Sequence, residues 1–129
     1  MKRTAKKVLI VNKETVYADF LRTNIEREFP AVTISVAASG ESALSLINKR
    51  TYDLVITDTS LPGMGGVNLF FELREQHPEM KTILLSESFN TKEMRLLQKE
   101  GLYGYIEKPF LMESLAELIE RALRGQQGT

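Results

Sequence analysis

Short apolar runs alternate along the chain with longer stretches in which apolar residues recur every three to five positions. The short runs are rich in β-branched residues and bounded by polar residues or chain breakers, which is typical of strands buried on both faces. The longer stretches are typical of amphipathic helices. Strands are predicted at 7–11, 32–36, 53–58, 81–86 and 103–106. Helices are predicted at 15–29, 39–50, about 67–76, 90–100 and after residue 110.

The same periodicity predicts helix ends and inward faces. Ser39 and Asn90 are placed to cap the second and fourth helices, and Gly101 to follow the fourth. In the first helix the predicted inward face consists of Val16, Phe20, Leu21, Ile25 and Phe29. In the last helix it consists of Leu111, Leu115, Leu118, Ile119 and Ala122.

Five strands alternating with five helices predict an α/β fold with a parallel sheet and helices on both faces. Right-handed crossovers leave few topologies, and the strand order 2-1-3-4-5 of a flavodoxin-like (βα)5 three-layer sandwich is the commonest. Chemistry in such sheets collects at the carboxyl ends of the strands, near the switch point in strand order. Here that point lies between the first and third strands, which would bring the loop 12–14 next to Asp58.

Composition restricts the classes of function. At 129 residues, 43% hydrophobic, the chain is expected to form one domain over 1–124, with 125–129 a frayed tail or the start of a linker. Seventeen basic residues balance seventeen acidic ones, so neither nucleic acid nor a membrane surface is expected as a direct partner. The basic cluster at Lys2, Arg3, Lys6 and Lys7 is expected to be a solvated leader. The absence of cysteine and of a membrane-length apolar run favours a cytoplasmic protein.

Polar motifs at the strand ends follow one another in a specific order. They are the polar loop after Val8-Leu-Ile-Val11, Asp58 followed by Leu61-Pro-Gly-Met64, Ser86, and Tyr105-Ile-Glu-Lys-Pro-Phe110. Each motif alone is weak, but together they resemble the receiver domain of bacterial two-component response regulators. The resemblance extends from about residue 7 to residue 124.

The resemblance implies a role for each matching residue. Asp58 would accept a phosphoryl group as a nucleophilic carboxylate. Lys108 would contact the phosphoryl oxygens, and the Ser86 hydroxyl would move to hydrogen-bond the acyl phosphate. Tyr105 would report that movement through its rotamer. The bond from Lys108 to Pro109 is usually cis in the family, at a cost of about 0.5–1 kcal/mol.

The resemblance also implies partners. They are a sensor histidine kinase or phosphotransfer protein as phosphoryl donor, and a downstream effector or an output domain absent from this sequence. A homodimer through the fourth helix and fifth strand is possible. The only activity implied is catalysis of the chain's own phosphotransfer and dephosphorylation, so the chain is not expected to be an enzyme in the usual sense.

The loop after the first strand departs from the family pattern. Receiver domains usually carry two adjacent acids there, which hold Mg²⁺ together with the acceptor aspartate. This chain has Asn12 and Lys13 instead. The oxygen donors left for Mg²⁺ are the Asp58 carboxylate, the Ser60 carbonyl and the Asn12 amide oxygen, while Glu14 occupies no ligand position in the family. Because Mg²⁺ requires near-octahedral oxygen ligands and Lys13 adds a cation, weak binding is expected.

Two mechanisms remain open, and both must accommodate Glu87, a carboxylate where the family has a small residue beside the phosphoryl pocket. In the first, the chain is a working phosphorylation switch with a weakened Mg²⁺ site. In the second, it is a phosphorylation-independent binding module in which Lys13 pairs with Asp58 and supplies positive charge beside Lys108. The loss of the acids favours the second on chemical grounds. A flavodoxin-like cofactor binder is disfavoured, because the loop after the first strand lacks phosphate-cradling glycines.

Overall fold

The computed structural model describes residues 6–125, so Lys2, Arg3 and all but the first residue of the expected tail at 125–129 lie outside the described residues. The strands are β1 (Lys7–Val11), β2 (Thr33–Ala37), β3 (Leu54–Asp58), β4 (Lys81–Ser86) and β5 (Gly104–Glu107). The helices are α1 (Thr15–Glu28), α2 (Gly40–Lys49), α3 (Gly66–Gln76), α4 (Thr91–Lys99) and α5 (Met112–Leu123). In this part of the chain, none of the helices combines the length and apolar character needed to cross a membrane.

The strands form one parallel sheet in the order β2-β1-β3-β4-β5, which confirms the predicted flavodoxin-like topology. Strand β1 pairs with β2 on one side and β3 on the other, so the switch point lies between β1 and β3. Every residue of β3 is buried, as expected for a central parallel strand covered on both faces.

Alternate strand residues point into separate parts of the core. On one face, Ile10, Ile56 and Ile83 belong to the cluster that packs against α1 and α5. On the other face, Leu9 and Val55 pack against α2 and α3. The sheet is therefore covered on both sides, and its polar chemistry is restricted to the strand ends.

Both predicted N-caps are formed. The Ser39 hydroxyl accepts a hydrogen bond from Ser42 N at 3.1 Å, and the Asn90 side-chain oxygen accepts one from Glu93 N at 3.1 Å. Gly101 follows α4 with a positive φ of 108°, a conformation that favours glycine. These local signals predict the helix ends correctly because each is satisfied within a few residues.

Part of the predicted inward face of α1 is wrong. Val16 and Phe20 are 83% and 50% exposed, whereas Ala18, Leu21 and Ile25 are buried. At about 100° per residue, positions 16 and 20 lie on the side of the helix opposite to this buried stripe. Leu111 is likewise 68% exposed, because it occupies the N-cap position before α5 and lies outside the helical stripe.

The C-terminal and N-terminal ends of the strands have different surroundings. The C-terminal ends of β1, β3, β4 and β5, called the carboxyl edge below, carry the polar residues singled out above. At the opposite edge, a cleft is lined by Lys6, Asp53 and Lys81 from the strand beginnings and by Arg124 from the end of α5. The end of α5 therefore lies beside the beginnings of the strands, away from Asp58.

Candidate functional site

The parallel sheet brings the predicted site residues to one edge. Asn12 follows β1, Asp58 ends β3, Ser86 ends β4, and Lys108 follows β5. The register pairs Asp58 with Leu85, and it pairs Ser86 with the last residue of β5. The ends of these three strands are therefore level. The sequence order of the motifs thus becomes a single cluster in space.

Asp58 lies in this cluster as a buried carboxylate with donors on both oxygens. Lys108 Nζ donates to Oδ2 at 2.5 Å, and Asn12 Nδ2 donates to the same oxygen at 3.2 Å. The backbone N–H of Ser60 donates to Oδ1 at 3.2 Å. The Asp58 side chain is only 11% exposed and that of Lys108 20%. The charge of the buried carboxylate is therefore balanced by one close ammonium group.

Gly66 holds the loop after Asp58 close to the start of α3. Its N–H donates to the carbonyl of Thr59 at 2.9 Å. A Cβ at this position would lie 2.2 Å from the carbonyl oxygen of Asp58, which no packed structure tolerates. A glycine is required here because the backbone of α3 approaches the strand end too closely for any side chain.

The Asn12 amide is held in one orientation. Its oxygen accepts a hydrogen bond from Glu14 N at 2.8 Å, and its nitrogen faces the Asp58 carboxylate. The reverse orientation would place the oxygen against a carboxylate and the NH₂ group against an N–H donor, so both contacts would be repulsive. In the expected metal site the Asn12 amide oxygen would be a ligand beside Asp58. Here that oxygen accepts the Glu14 hydrogen bond and points away from Asp58.

Lys13 does not pair with Asp58, contrary to the second mechanism considered above. Its Nζ lies 3.3 Å from the hydroxyl oxygen of Ser60, and its side chain is exposed. The ammonium that contacts Asp58 belongs to Lys108. Lys13 nevertheless places a second positive charge beside the loop that follows Asp58.

The residues at this edge do not fit Mg²⁺ as arranged. Asp58 supplies the carboxylate, which is already bound to Lys108, and the neighbouring Asn12 presents a donor. Among residues 6–125 no group of three or more His, Cys, Asp or Glu side chains could hold a metal ion. A hard divalent cation needs several oxygen ligands, and Lys13 adds repulsion. In this arrangement the positive charge beside Asp58 and Ser60 comes from lysine side chains.

Ser86 and Glu87 lie beside the cluster without contacting Asp58. The Ser86 hydroxyl donates to the carbonyl of Ser88 at 3.0 Å and accepts from its N–H at 3.4 Å. Glu87 is exposed, so its carboxylate is solvated. In this conformation both hydrogen bonds of the Ser86 hydroxyl are made with the backbone of Ser88, two residues further along the chain.

Tyr105 is half-buried on β5 and packs edge-on against Phe89, with ring centroids 5.0 Å apart. Both rings pack against the cluster between α3 and α4, which includes Met94. The peptide bond between Lys108 and Pro109 is cis. These residues connect the carboxyl edge with the surface of α4 and β5.

Tyr17 belongs to the site, although it lies outside the motifs at the strand ends. Lys108 Nζ lies 4.9 Å from the centroid of its ring. Burial raises the pKa of the Tyr17 phenol, the positive charge of Lys108 lowers it, and the negative charges of Asp58 and Glu14 raise it. The signal that could have found Tyr17 is topological: α1 starts at the carboxyl edge, so its first turn lies beside the strand ends.

Comparison with known proteins identifies the family. The model for the response regulator receiver domain matches residues 8–120. The chain belongs to the response regulator receiver domain family. Receiver domains are signalling modules of two-component systems, and they interact with histidine kinases or phosphotransfer proteins and with output domains.

Individual relatives agree with this assignment. The chain is 30% identical over 120 residues to the hydrogenase transcriptional regulatory protein HoxA of Cupriavidus necator, covering 92% of this chain and 24% of HoxA. It is 27% identical over 127 residues to the probable C4-dicarboxylate response regulator DctR of Bacillus subtilis, covering 98% of this chain and 56% of DctR. The chain thus spans about a quarter and about half of the lengths of these two curated relatives.

A solved structure shows the same receiver fold. The CheY-like receiver domain protein of Methanospirillum hungatei JF-1 is similar with a TM-score of 0.86 and 27% identity, covering 95% of this chain and 97% of that one. The likeness therefore extends over nearly the whole length of both chains.

Proposed function

We propose that this receiver domain accepts a phosphoryl group on Asp58 from a phosphohistidine-bearing protein of a two-component system. The observation that supports the proposal is the 2.5 Å contact between Lys108 Nζ and Asp58 Oδ2 at the carboxyl edge of the sheet. A nucleophilic carboxylate beside a positioned ammonium suits phosphoryl transfer, because the cation lies where negative charge develops on the phosphoryl oxygens.

The transfer would be a substitution at phosphorus. One oxygen of the ionised Asp58 carboxylate forms a bond to phosphorus while the P–N bond of the phosphohistidine breaks. When the imidazole carries a proton on its other nitrogen, it leaves as neutral imidazole, and the product is the acyl phosphate of Asp58. Lys108 and Lys13 supply positive charge near the phosphoryl oxygens. Lys108 contacts Asp58 itself, and the Lys13 ammonium lies close by, 3.3 Å from the Ser60 hydroxyl. No proton has to be removed from the nucleophile.

The response to phosphorylation would involve Ser86 and Tyr105. To donate to a phosphoryl oxygen, the Ser86 hydroxyl has to release the Ser88 carbonyl, which it binds at 3.0 Å. A shift of this turn would disturb the packing of Phe89 against Tyr105. The change would thereby reach the surface of α4 and β5, where a homodimer or an effector contact remains a prediction.

An apolar surface beside the site suits the phosphoryl donor. Val16 and Phe20 on α1 and Leu111 before α5 are exposed, and their neighbours Tyr17, Phe110 and Met112 pack against one shared cluster. A helical donor protein could cover these side chains while presenting its phosphohistidine to Asp58. Changing Val16 and Leu111 to Ser should slow transfer from a phosphohistidine protein about tenfold or more and leave transfer from acetyl phosphate unchanged. Leu96→Ser, an exposed apolar position on α4, is the matched control.

A second candidate function is a receiver fold that binds partners without phosphorylation. The observation that favours it is the Asn12 amide, whose nitrogen faces Asp58 where a metal-binding site would present oxygen. The first candidate agrees better with the position of Lys13, which contacts the Ser60 hydroxyl and does not pair with Asp58.

Intact mass after incubation with acetyl phosphate, with Mg²⁺ and with a chelator, decides between the two. A phosphate-sized gain that persists in the chelator and disappears in Asp58→Asn supports the proposed function. A gain that depends strictly on Mg²⁺ contradicts our description of the charge around Asp58. No gain in the natural chain, together with a gain when Asn12 and Lys13 are both replaced by Asp, supports the phosphorylation-independent module.

A further inference from the structure

The ammonium group of Lys108 lies between a carboxylate and an aromatic ring. One side contacts Asp58 Oδ2 at 2.5 Å, and the centroid of the Tyr17 ring lies 4.9 Å away. The Lys108 side chain is 20% exposed, so water is largely displaced from this arrangement. A cation over an aromatic face is attracted by the ring quadrupole, and the attraction increases when the cation is desolvated.

We propose that Tyr17 is a positioning residue whose ring face holds the Lys108 ammonium against the Asp58 carboxylate. This inference rests on the proposed function, because it assigns to α1 the alignment of the cation that phosphoryl transfer at Asp58 uses. Tyr17 acts on Asp58 through Lys108 and is not a catalytic residue.

The geometry explains why a ring is needed. Lysine has a flexible four-carbon stem and three donors, so a single contact with Asp58 leaves much of its freedom intact. A polar partner on its other side would compete for the same protons, whereas a ring face attracts the charge without accepting a strong hydrogen bond. Tyr17 is itself restrained, because it packs against the core cluster and stacks with Phe20 at a centroid distance of 6.3 Å and an interplanar angle of 23°.

The first test compares rates of Asp58 phosphorylation by acetyl phosphate in substituted chains. Tyr17→Phe keeps the ring face and should remain within about twofold of the natural chain. Tyr17→Leu fills the apolar space without a quadrupole and should be slower by about 3- to 10-fold. Phe71→Leu, an aromatic position 40% exposed on α3, controls for loss of a ring elsewhere.

A double-mutant cycle separates positioning from packing. If Tyr17 acts through the ammonium, Tyr17→Leu should have no further effect on the residual rate in a Lys108→Ala background. An equal loss in both backgrounds, or no loss in the natural background, overturns the proposal. Far-UV circular dichroism of each variant establishes that it is folded before rates are compared.

A second readout does not require phosphorylation. Protons of the Lys108 ε-methylene group should resonate upfield in the natural chain and in Tyr17→Phe, because they lie near the ring face, and should return to ordinary positions in Tyr17→Leu. If the natural chain is never phosphorylated, the proposed function fails while this shift still tests the contact. Ordinary Lys108 resonances in the natural chain overturn the inference even if Asp58 is phosphorylated.

Discussion

At the scale of single residues, Asn12 determines which chemical group contacts the Asp58 carboxylate from the end of β1. An aspartate at this position would repel the Asp58 carboxylate unless a cation lay between them, whereas the asparagine donates a hydrogen bond to it at 3.2 Å. The amide thus gives the carboxylate a hydrogen-bond donor on this side. The same orientation turns the amide oxygen away from Asp58, so one arrangement gives Asp58 a hydrogen-bond donor and withholds an oxygen ligand from a metal ion.

We expect that replacing both Asn12 and Lys13 by Asp increases Mg²⁺ affinity by at least about tenfold, equivalent to about 1.4 kcal/mol. The double variant removes a cation and replaces a facing donor by a second carboxylate. Isothermal titration calorimetry measures the change. Lys13→Asp alone should gain less, because the Asn12 amide nitrogen still faces Asp58. Equal affinities in the natural and double-variant chains would contradict this account of the site.

Gly66→Ala should destabilise the fold by about 1–3 kcal/mol, because the new Cβ overlaps the backbone of Asp58 and Thr59. The displaced strand end should also slow phosphorylation of Asp58. Gly65→Ala is the control: its Cβ would meet only the Thr59 carbonyl at 3.4 Å, and the loss should stay within about 1 kcal/mol. Urea unfolding of both variants measures the difference, and equal losses would argue against the close approach at Gly66.

At the scale of elements, the sequence predicts what depends on local chemistry. The caps at Ser39 and Asn90 and the breaker at Gly101 were predicted correctly, since each acts on neighbouring backbone. The orientation of α1 was only partly predicted, because Val16 and Phe20 belong to an apolar pattern that continues onto the exposed side. Apolar character alone does not distinguish a core position from one kept apolar for a partner.

The site shows the same division. That Asp58 and Lys108 meet could be predicted from the resemblance and the parallel topology. The direction of the Asn12 amide and the position of Tyr17 could not, because they depend on hydrogen bonds and packing between segments distant in sequence. Lys13 illustrates the limit: its charge is evident in the sequence, but its partner depends on the path of the loop after β3.

Asn90→Ala should cost about 0.5–2 kcal/mol, because it removes the acceptor for the Glu93 N–H at the start of α4. Asn48→Ala, at an exposed position within α2, should change stability by less than about 0.5 kcal/mol, since alanine has the higher helix propensity. Urea unfolding measures the two losses, and hydrogen exchange at the Glu93 amide reports the local one. Similar effects of the two substitutions would show that the cap contributes little.

At the scale of the whole molecule, two adjacent aromatic residues on α3 lie on opposite sides of the boundary between core and surface. Phe70 is fully buried and Phe71 is 40% exposed, with ring centroids 5.2 Å apart. Phe70→Ala should therefore reduce the free energy of unfolding by about 3–5 kcal/mol. Phe71→Ala should reduce it by about 1 kcal/mol or less, as expected for a single exposed ring contact. Denaturant melts of both variants test this, and comparable losses would mean that the assigned face of α3 is wrong.

The position of the end of α5, beside the strand beginnings, has a practical consequence for labelling this protein. Strand β3, which ends at Asp58, is about 16 Å long, from five residues at about 3.3 Å each, and Arg124 lies at the edge opposite to Asp58. A fluorophore or fusion partner joined after Gly125 would begin on the far side of the sheet and leave the carboxyl edge open to solvent. Such a reporter would respond to a chemical change at Asp58 only when a conformational change reaches the end of α5. Its signal would therefore measure that conformational change separately from modification of Asp58.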